Sequence, residues 1–393
     1  MAVLKQIVSV TAMNLRSIRQ RLRPSLVVVI GIAGVVAVLA SMLALTTGLG
    51  RMTQNSGRPD RAIVLSVGAN EEQMSILGPD AVAAIADAPG VIHDASGKPL
   101  ASPEVVLSTT LKGRRDSDAT AVPLRGIGPM GLAVHPEFKI IKGRLFTPGL
   151  RELVVGRTLS NQIAGLAIGR TVNIRGNDWL VVGVLGSNGG MHESELIGDA
   201  DTINSSTGRS GVQSVVAVLT SKEAFKSFRE TLLANTAAPV EAIPEPLFFA
   251  GKTAGLQALF TFVAYVIGGI MALGATFGAV TTVSTMISSR SVEIATLRAI
   301  GFGPFIVVLS VLAETIFLAI LGGVAGGALA WFGFNGFTVS TLAGGQQMAF
   351  DLAVTPRLLL IGTLWAVAIG LISGVFPATR AARLPVAAVL RAS

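Results

Sequence analysis

The sequence predicts an α-helical membrane protein with four transmembrane helices and an α+β extracytoplasmic domain inserted between helices 1 and 2. Three observations predict it. Of 393 residues, 51% are hydrophobic and 14% charged, against roughly 25% charged in an ordinary soluble domain. Four apolar runs are long enough to cross a bilayer. The net charge of +8 collects at the ends of those runs. Residues 1–24 carry Lys5, Arg16, Arg19, Arg21 and Arg23 with no acid, residues 49–254 hold twenty basic and twenty acidic residues, and Arg380, Arg383 and Arg391 lie near the C-terminal end. This is the positive-inside pattern of a membrane protein, and it argues against nucleic acid as a partner. The absence of cysteine excludes disulfides, thiolate metal sites and cysteine nucleophiles.

Residues 1–24 read as an interfacial amphipathic helix on the inner leaflet, in contact with membrane lipid. Val3, Leu4, Ile7, Val8, Leu15, Ile18 and Leu22 mix there with Lys5, Arg16 and Arg19. A partly ordered basic tail is the alternative. Helix 1 is placed at 25–47. The uncharged run from Ser25 to Gly50 exceeds the roughly 7–15 residues of a signal-peptide core, so it is read as an anchor.

Residues 48–254 form the outer domain. Strand patterns recur at Ala62–Val67, Glu104–Leu111, Ala121–Ile127, Glu152–Val155, Thr171–Ile174, Trp179–Leu185 and Val215–Leu219, with turn chemistry between them, including Arg175-Gly176-Asn177-Asp178. Helices fit Pro79–Ala88, Leu159–Leu166 and Lys222–Thr236, with Ser221 as an N-cap. Strands mixed with few helices indicate α+β.

Residues 255–285 are read as a stalk and helix 2. The uncharged run of about 37 residues would reach roughly 55 Å as a helix, against a hydrocarbon core of roughly 30 Å. Either the helix projects outside or its first turns are loop. Gly255 weakens the helix without forbidding it. A cytoplasmic connection follows at 286–304, then helix 3 at 305–333 with Pro304 suited to its start. A periplasmic loop is expected at 334–357, helix 4 at 358–377, and a basic cytoplasmic tail at 378–393. Arg290 and Arg298 place the connection on the cytoplasmic side with both termini.

Tests for chemistry are negative. Gly251-Lys252-Thr253 resembles the end of a phosphate-binding loop, but Pro246 stands where that motif needs glycine. His192, Glu193, Glu195, Asp199 and Asp201 suggest a cation site, but one imidazole and no metal-ligand spacing favour a solvated loop. No nucleophile motif is present. The chain is therefore expected to be no enzyme and to hold no cofactor or metal. Glu314, about ten residues into helix 3, reads either as a functional residue in the membrane or as a side chain hydrogen-bonded to a neighbouring helix near the inner interface. Gly274 and Gly278, Gly322 and Gly326, and Gly323 and Gly327 are each four apart, the spacing for close helix packing. Ordinary glycine enrichment of membrane helices gives the same pattern. Ser288–Gly301 is helical in pattern, with Val292, Ala295 and Ala299 near one face and Arg290, Glu293 and Arg298 polar. The residues alone fit either docking on a partner or an interfacial helix without one.

Three stretches carry a family resemblance. The first is Val292-Glu293-Ile294-Ala295-Thr296-Leu297-Arg298-Ala299-Ile300-Gly301. The second is Phe376-Pro377-Ala378-Thr379-Arg380-Ala381-Ala382-Arg383-Leu384-Pro385-Val386 with Leu390-Arg391. The third combines Gly143-Arg144-Leu145-Phe146, Glu152-Leu153-Val154-Val155-Gly156 and Trp179-Leu180-Val181-Val182-Gly183-Val184. They resemble the coupling segment, C-terminal signature and periplasmic domain of the MacB/FtsX-type permeases of ATP-binding cassette transporters, which share the order of one span, outer domain and three spans. Only 24 residues precede helix 1, so the resemblance implies a separate ATPase subunit that carries ATP and Mg. It also implies a place in a bacterial inner membrane, a homodimer with a second copy of the chain and mechanotransmission from the ATPases to the outer domain. The coupling contact would fall on Arg290, Glu293, Ile294, Leu297, Arg298 and Gly301. The expected function is export of a substrate from the periplasm or outer leaflet, with a periplasmic adaptor and an outer-membrane channel as further partners. The alternative is a signalling permease whose ATP-driven domain activates a periplasmic partner.

Overall fold

A computed structural model describes residues 22–112, 119–343 and 346–383. The stretch expected to be amphipathic, up to residue 21, and the C-terminal signature beyond Arg383 lie outside the described residues. The chain divides into two compact units. The outer unit is Gly48–Gln257 with Phe337–Asp351, and the helical unit is the remainder.

The first apolar run is helix α1 (Leu22–Gln54). There follow β1 (Arg61–Ser66), a 3-10 turn at Glu72–Met74, α2 (Pro79–Ala86), β2 (Ala101–Lys112), β3 (Ala119–Ile127), the single turn α3 (Gly131–Val134), β4 (Lys139–Gly143) and β5 (Glu152–Gly156). Next come α4 (Arg157–Gln162), β6 (Thr171–Ile174), β7 (Asn177–Gly186), a 3-10 turn at Met191–Ser194, β8 (Leu196–Asp199), α5 (Ala200–Thr207), β9 (Ser214–Val218), α6 (Ala224–Ala234) and β10 (Val240–Pro244). The chain continues as α7 (Glu245–Ser288), α8 (Ser291–Ala299), α9 (Pro304–Phe334), the hairpin β11 (Thr338–Ala343) and β12 (Gln346–Asp351), and α10 (Pro356–Ala382). Helices α1, α7, α9 and α10 are long and apolar enough to cross a membrane.

In the outer unit, ten strands form one mixed sheet in the order β10-β1-β9-β2-β3-β8-β5-β7-β4, with β6 on β7. The β3–β8 and β5–β7 pairs are parallel, and the other pairs antiparallel. Every residue of β5 and of β8 is buried, which explains the unbroken Leu153-Val154-Val155 run: a strand covered on both faces needs no polar alternation. Exposed and buried residues alternate along β6. Its hairpin with β7 turns at Arg175 (φ 51°) and Gly176 (φ 83°), both in the left-handed region, as a two-residue primed turn requires. Asn177 and Asp178 are therefore already strand, not turn as expected. One core packs around Trp179, Leu153, Val155 and Val181. Another lies between α2, α6 and strands β1, β9 and β10, around Ile85, Phe228 and Val64. At α6 the structural N-cap is Glu223, but Ser221 still accepts the Ala224 amide at 3.4 Å.

In the helical unit, Val28, Ile32 and Val36 of α1 meet Ala272 and Ala279 of α7, Leu318 and Ala319 of α9, and Ala366 and Ile369 of α10. The paired glycines of α9 sort by neighbour. Gly322 and Gly326 lie against α1, at Val29–Val36, whereas Gly323 and Gly327 lie against α10, at Leu359–Ala366. A methyl group on Gly274 or Gly278 would meet no described atom within 4 Å. The close packing expected there is not made among the described residues. Gly362, Gly370 and Gly374 of α10, not singled out in the sequence, do make close approaches, to Val36, Ala319 and Thr315 respectively.

Two connections take definite form. Gly255 does not interrupt α7, which is a single helix of 44 residues and spans about 66 Å at 1.5 Å per residue. The connection at 334–357 contains the β11–β12 hairpin, in register from Thr338↔Asp351 to Ala343↔Gln346.

Candidate functional site

Residues of possible coupling function gather in two places. The first is α8. Arg290 breaks the helix between α7 and α8 with φ −113° and ψ 13°. At the far end Gly301 takes φ +107°, while the Gly301 and Phe302 amides bond to the Arg298 and Leu297 carbonyls at 3.1 Å each. A glycine just past a helix, with such back-bonding, is an efficient stop.

The faces of α8 differ from the expected pattern. Ile294 and Ala295 are buried, and Ile294 packs on Val307 and Ala381. Val292 and Ile300 are exposed. Glu293 and Gly301 are exposed, Leu297 and Arg298 half-buried. Arg290 is buried: its Nε donates to Glu293 Oε2 at 3.1 Å and its Nη1 to Glu314 Oε2 at 3.3 Å. Of the six residues assigned to coupling, Arg290 and Ile294 therefore hold α8 to its own chain. The accessible set is Glu293, Leu297, Arg298 and Gly301. Glu314 bonds to the segment that begins α8, so an ion pair now stands where the sequence left a functional and a structural reading open. A charge at this depth is tolerated when paired. The pair borders a narrow cleft of about 30 Å³ between α7, α8 and α9, lined mostly by apolar side chains such as Val283, Met286 and Val311.

The second place is a buried charge cluster in the outer unit, invisible in the sequence. Arg125 of β3, 2% exposed, donates to Glu104 (2.6 Å), Glu72 (2.9 Å) and Glu195 (2.7 Å). His135 bridges Glu104 (2.8 Å) and Glu137 (3.3 Å). Arg61 of β1 bonds to Glu137 (2.7 Å) and Glu245 (2.6 Å). Lys252, weighed above as part of a phosphate loop, lies within α7 and pairs with Glu72 at 2.8 Å, its ammonium 4.5 Å from the Phe248 ring centre. Through Glu245 and Lys252 the first turns of α7 are thus ionically joined to the sheet. A hydroxyl pair, Thr53 and Thr253 at 3.0 Å, joins α1 to α7. Most of the acidic stretch read as a solvated loop is the opposite: His192, Glu193, Glu195 and Asp199 are buried, because each finds a bonding partner inside, and of the five residues only Asp201 is exposed. A lone charge within an apolar strand, such as Arg125 in Ala121–Ile127, was the one signal that could have announced the cluster, since such a group is buried only with partners.

The motif residues of the outer unit acquire physical reasons. Arg144 grips Glu152 with two bonds of 2.5 and 2.6 Å. These bonds hold the Glu152 carboxyl down at about 2. A Cβ on Gly156 would overlap the Glu193 carbonyl, and one on Gly183 would overlap that of Arg144. Both motif glycines mark places where another backbone crosses the sheet closely.

Burial raises the carboxyls of Glu72, Glu104, Glu137 and Glu195, but their cationic partners outweigh it and hold all four below the usual carboxylate range. Burial lowers His135, but Glu104 reverses this and raises it to about 9. Depressed carboxylates stabilise the fold above about pH 4.5, and that contribution is lost as pH falls. A raised histidine stabilises it fully below about pH 6.5, and this part is lost as pH rises through 9. Thermal unfolding of the outer unit in the full chain is therefore expected to peak near pH 5 to 6.5. His135→Gln should flatten the alkaline limb alone; an unchanged limb in that variant would show that another group causes it.

Comparison with known proteins completes the picture. Residues 25–234 match the model of the MacB-like periplasmic core domain, and residues 258–386 match that of the FtsX-like permease C-terminal domain. The chain is 25% identical over 306 residues to an uncharacterized ABC transporter permease, YknZ, of Bacillus subtilis, covering 73% of this chain and 75% of that protein. Among solved structures it is similar to the extracellular domain of the noncanonic ABC-type transporter YknZ from Gram-positive bacteria, with TM-score 0.36, 18% identity and coverage of 47% and 99% of the two chains. It is likewise similar to the periplasmic region of MacB from Actinobacillus actinomycetemcomitans, with TM-score 0.38, 18% identity and coverage of 49% and 92%.

Proposed function

The chain belongs to the family of ABC-transporter permeases with a MacB-like periplasmic core domain and an FtsX-like C-terminal domain, and from that premise we propose that it works by mechanotransmission. Membership makes it a multi-pass inner-membrane protein and implies an ATPase partner. Two copies of the chain engage two ATPase subunits at α8. ATP and Mg act on those subunits. Closure of the ATPases displaces α8 and α7, and the outer domain moves to extrude a substrate from the periplasm or outer leaflet.

The observation that carries this reading is α7 itself. It is unbroken from Glu245 to Ser288. Its first turns are fixed to the sheet by Glu245–Arg61 and Lys252–Glu72, and its last residue lies three positions before α8. A stiff element of this kind transmits axial displacement without passing anything between the spans. Both accessible charges of α8, Glu293 and Arg298, suit a polar contact.

Co-purification with the ATPase subunit tests the proposal. Wild type is expected to form a complex, and Glu293→Arg with Arg298→Glu to lose or uncouple its ATPase activity. A wild-type chain that captures no ATPase would refute the coupling role. Stimulation by an added small molecule or lipid would support export, whereas stimulation only by a periplasmic protein would support signalling.

A further inference from the structure

Within the outer unit, the segment Ser187–Glu195 is held by three other parts of the chain. From the turn that follows α1, Asn55 Nδ2 donates to the Asn188 carbonyl at 2.8 Å, and the Met191 amide donates to Ser56 Oγ at 2.7 Å. From α7, the Phe249 ring stands edge-on to His192, with centroids 5.6 Å apart. From the β11–β12 hairpin, the Ala349 amide donates to Ser194 Oγ at 3.1 Å. The segment's two acids fix it further. Glu195 lies on Arg125, while Glu193 accepts from the Ser187 and Gly189 amides at 2.8 Å each and from Arg157 at 3.1 Å. Nine residues thus touch the turn after α1, α7's start, the hairpin and the central strands.

Two side-chain atoms in this joint are unsatisfied, Ser187 Oγ and one ring nitrogen of His192. His192 Nδ1 pairs with Glu195 at 2.9 Å, but Nε2 is buried with no hydrogen-bond partner. The ring, 1% exposed, is packed among Phe138, Phe249 and His135. A buried polar atom left unpaired is destabilising, and such atoms in folded proteins call for an explanation, strain among them. A segment bonded from several sides that still leaves two buried polar atoms unpaired has a reason to move.

We propose that Ser187–Glu195 is the mechanical joint of the outer domain. Displacements of α1, α7 and the hairpin meet there and pass through Glu195 to Arg125 of β3 and through Glu193 to Arg157 at the start of α4. Asn55, Ser56, Ser194 and His192 act as positioning residues. The joint rests on the permease reading above and adds a path to it: helices α9 and α10 act on the outer domain through the hairpin, not only helices α1 and α7.

Amide hydrogen exchange on the full chain, bound to its ATPase subunit in lipid nanodiscs, tests this without nucleotide and with ATP plus vanadate. Wild type is expected to change exchange at 187–195 by about tenfold or more, together with 291–299. In Ser194→Ala combined with Asn55→Ala, the response of 291–299 should persist, that of 187–195 should be lost, and basal ATP hydrolysis should continue. Ser194→Thr should restore the hairpin bond and the response, which a merely structural role would not require. If 291–299 responds to nucleotide in wild type while 187–195 is silent, the joint is wrong and the permease reading stands. The joint is equally wrong if the double variant responds as wild type does. If no ATPase binds, or 291–299 does not respond, the permease reading fails and the joint fails with it.

Discussion

Arg125→Met is expected to prevent the outer unit from folding. The guanidinium is the common partner of Glu72, Glu104 and Glu195, carried by a 3-10 turn, β2 and the segment leading into β8. Methionine fills much of the volume but leaves three buried carboxylates without their shared cation. Removing one partner of a buried ion pair costs about 3–5 kcal/mol, and here three pairs lose the same partner. Total stability of a domain is only about 5–15 kcal/mol. Lys252 and His135 remain beside Glu72 and Glu104, but beside Glu195 only His192 remains. Arg125→Lys should also fail in large part, because one ammonium cannot reproduce a planar fork that meets three acids at once. The measurement is protease resistance of the outer unit in the membrane-inserted full chain. Rapid loss of that unit is expected in Arg125→Met, and milder loss in Glu104→Gln. Wild-type resistance in Arg125→Met would show that the cluster is dispensable for folding, and the clamp on α7 would lose its basis.

The cluster also marks where the sequence stops being informative. Strands with apolar runs, such as Leu153-Val154-Val155 or Trp179–Leu185, announce themselves because burial fixes their composition. Strand β4, Lys-Ile-Ile-Lys-Gly, is exposed along its whole length and gives no such signal. Four residues of β8 follow directly on His192, Glu193, Ser194 and Glu195, and the polar stretch masks them. That stretch has the composition of a solvated loop. It is buried only because its partners, Ser56, Arg125, Arg157 and Ala349, come from 36 to 155 positions away, a distance no local pattern records. The same limit applies to α8. Its amphipathic reading put Val292 on one face with Ala295 and Ala299, whereas Ala295 is buried together with Ile294, which packs on α9 and α10, and Val292 and Ala299 are exposed. The four membrane-crossing runs and the inserted mixed domain, by contrast, follow from hydropathy and length, which need no knowledge of partners.

Gly326→Leu is expected to break the helical bundle, and Gly278→Leu to leave the fold of the single chain intact. The two glycines look alike in sequence: each is the second of a pair four residues apart on an apolar helix. The structure separates them. A Cβ on Gly326 would overlap the Ala33 carbonyl oxygen and lie 2.9 Å from Val36 Cβ, and one on Gly322 would lie 2.9 Å from Ile32 Cβ and 3.0 Å from the Val29 carbonyl oxygen. The obstacle is helix α1 backbone, which cannot rotate aside as a flexible side chain can. Overpacking of this kind costs about 1–3 kcal/mol even in soluble cores. Between membrane helices no hydrophobic gain from water compensates for lost contact, so the penalty falls directly on the α1–α9 association. Gly323→Leu should loosen a different interface, α9 on α10, because its Cβ would meet Ala366 Cβ at 3.0 Å. At Gly278 a Cβ would meet no described atom within 4 Å and the position is exposed, so leucine there should face lipid or another molecule. Thermal unfolding in detergent and the yield of membrane-inserted protein measure both effects. Equal melting of Gly326→Leu and wild type would sink the packing argument. A loss of self-association in Gly278→Leu, with melting unchanged, would place that face of α7 against a second copy of the chain.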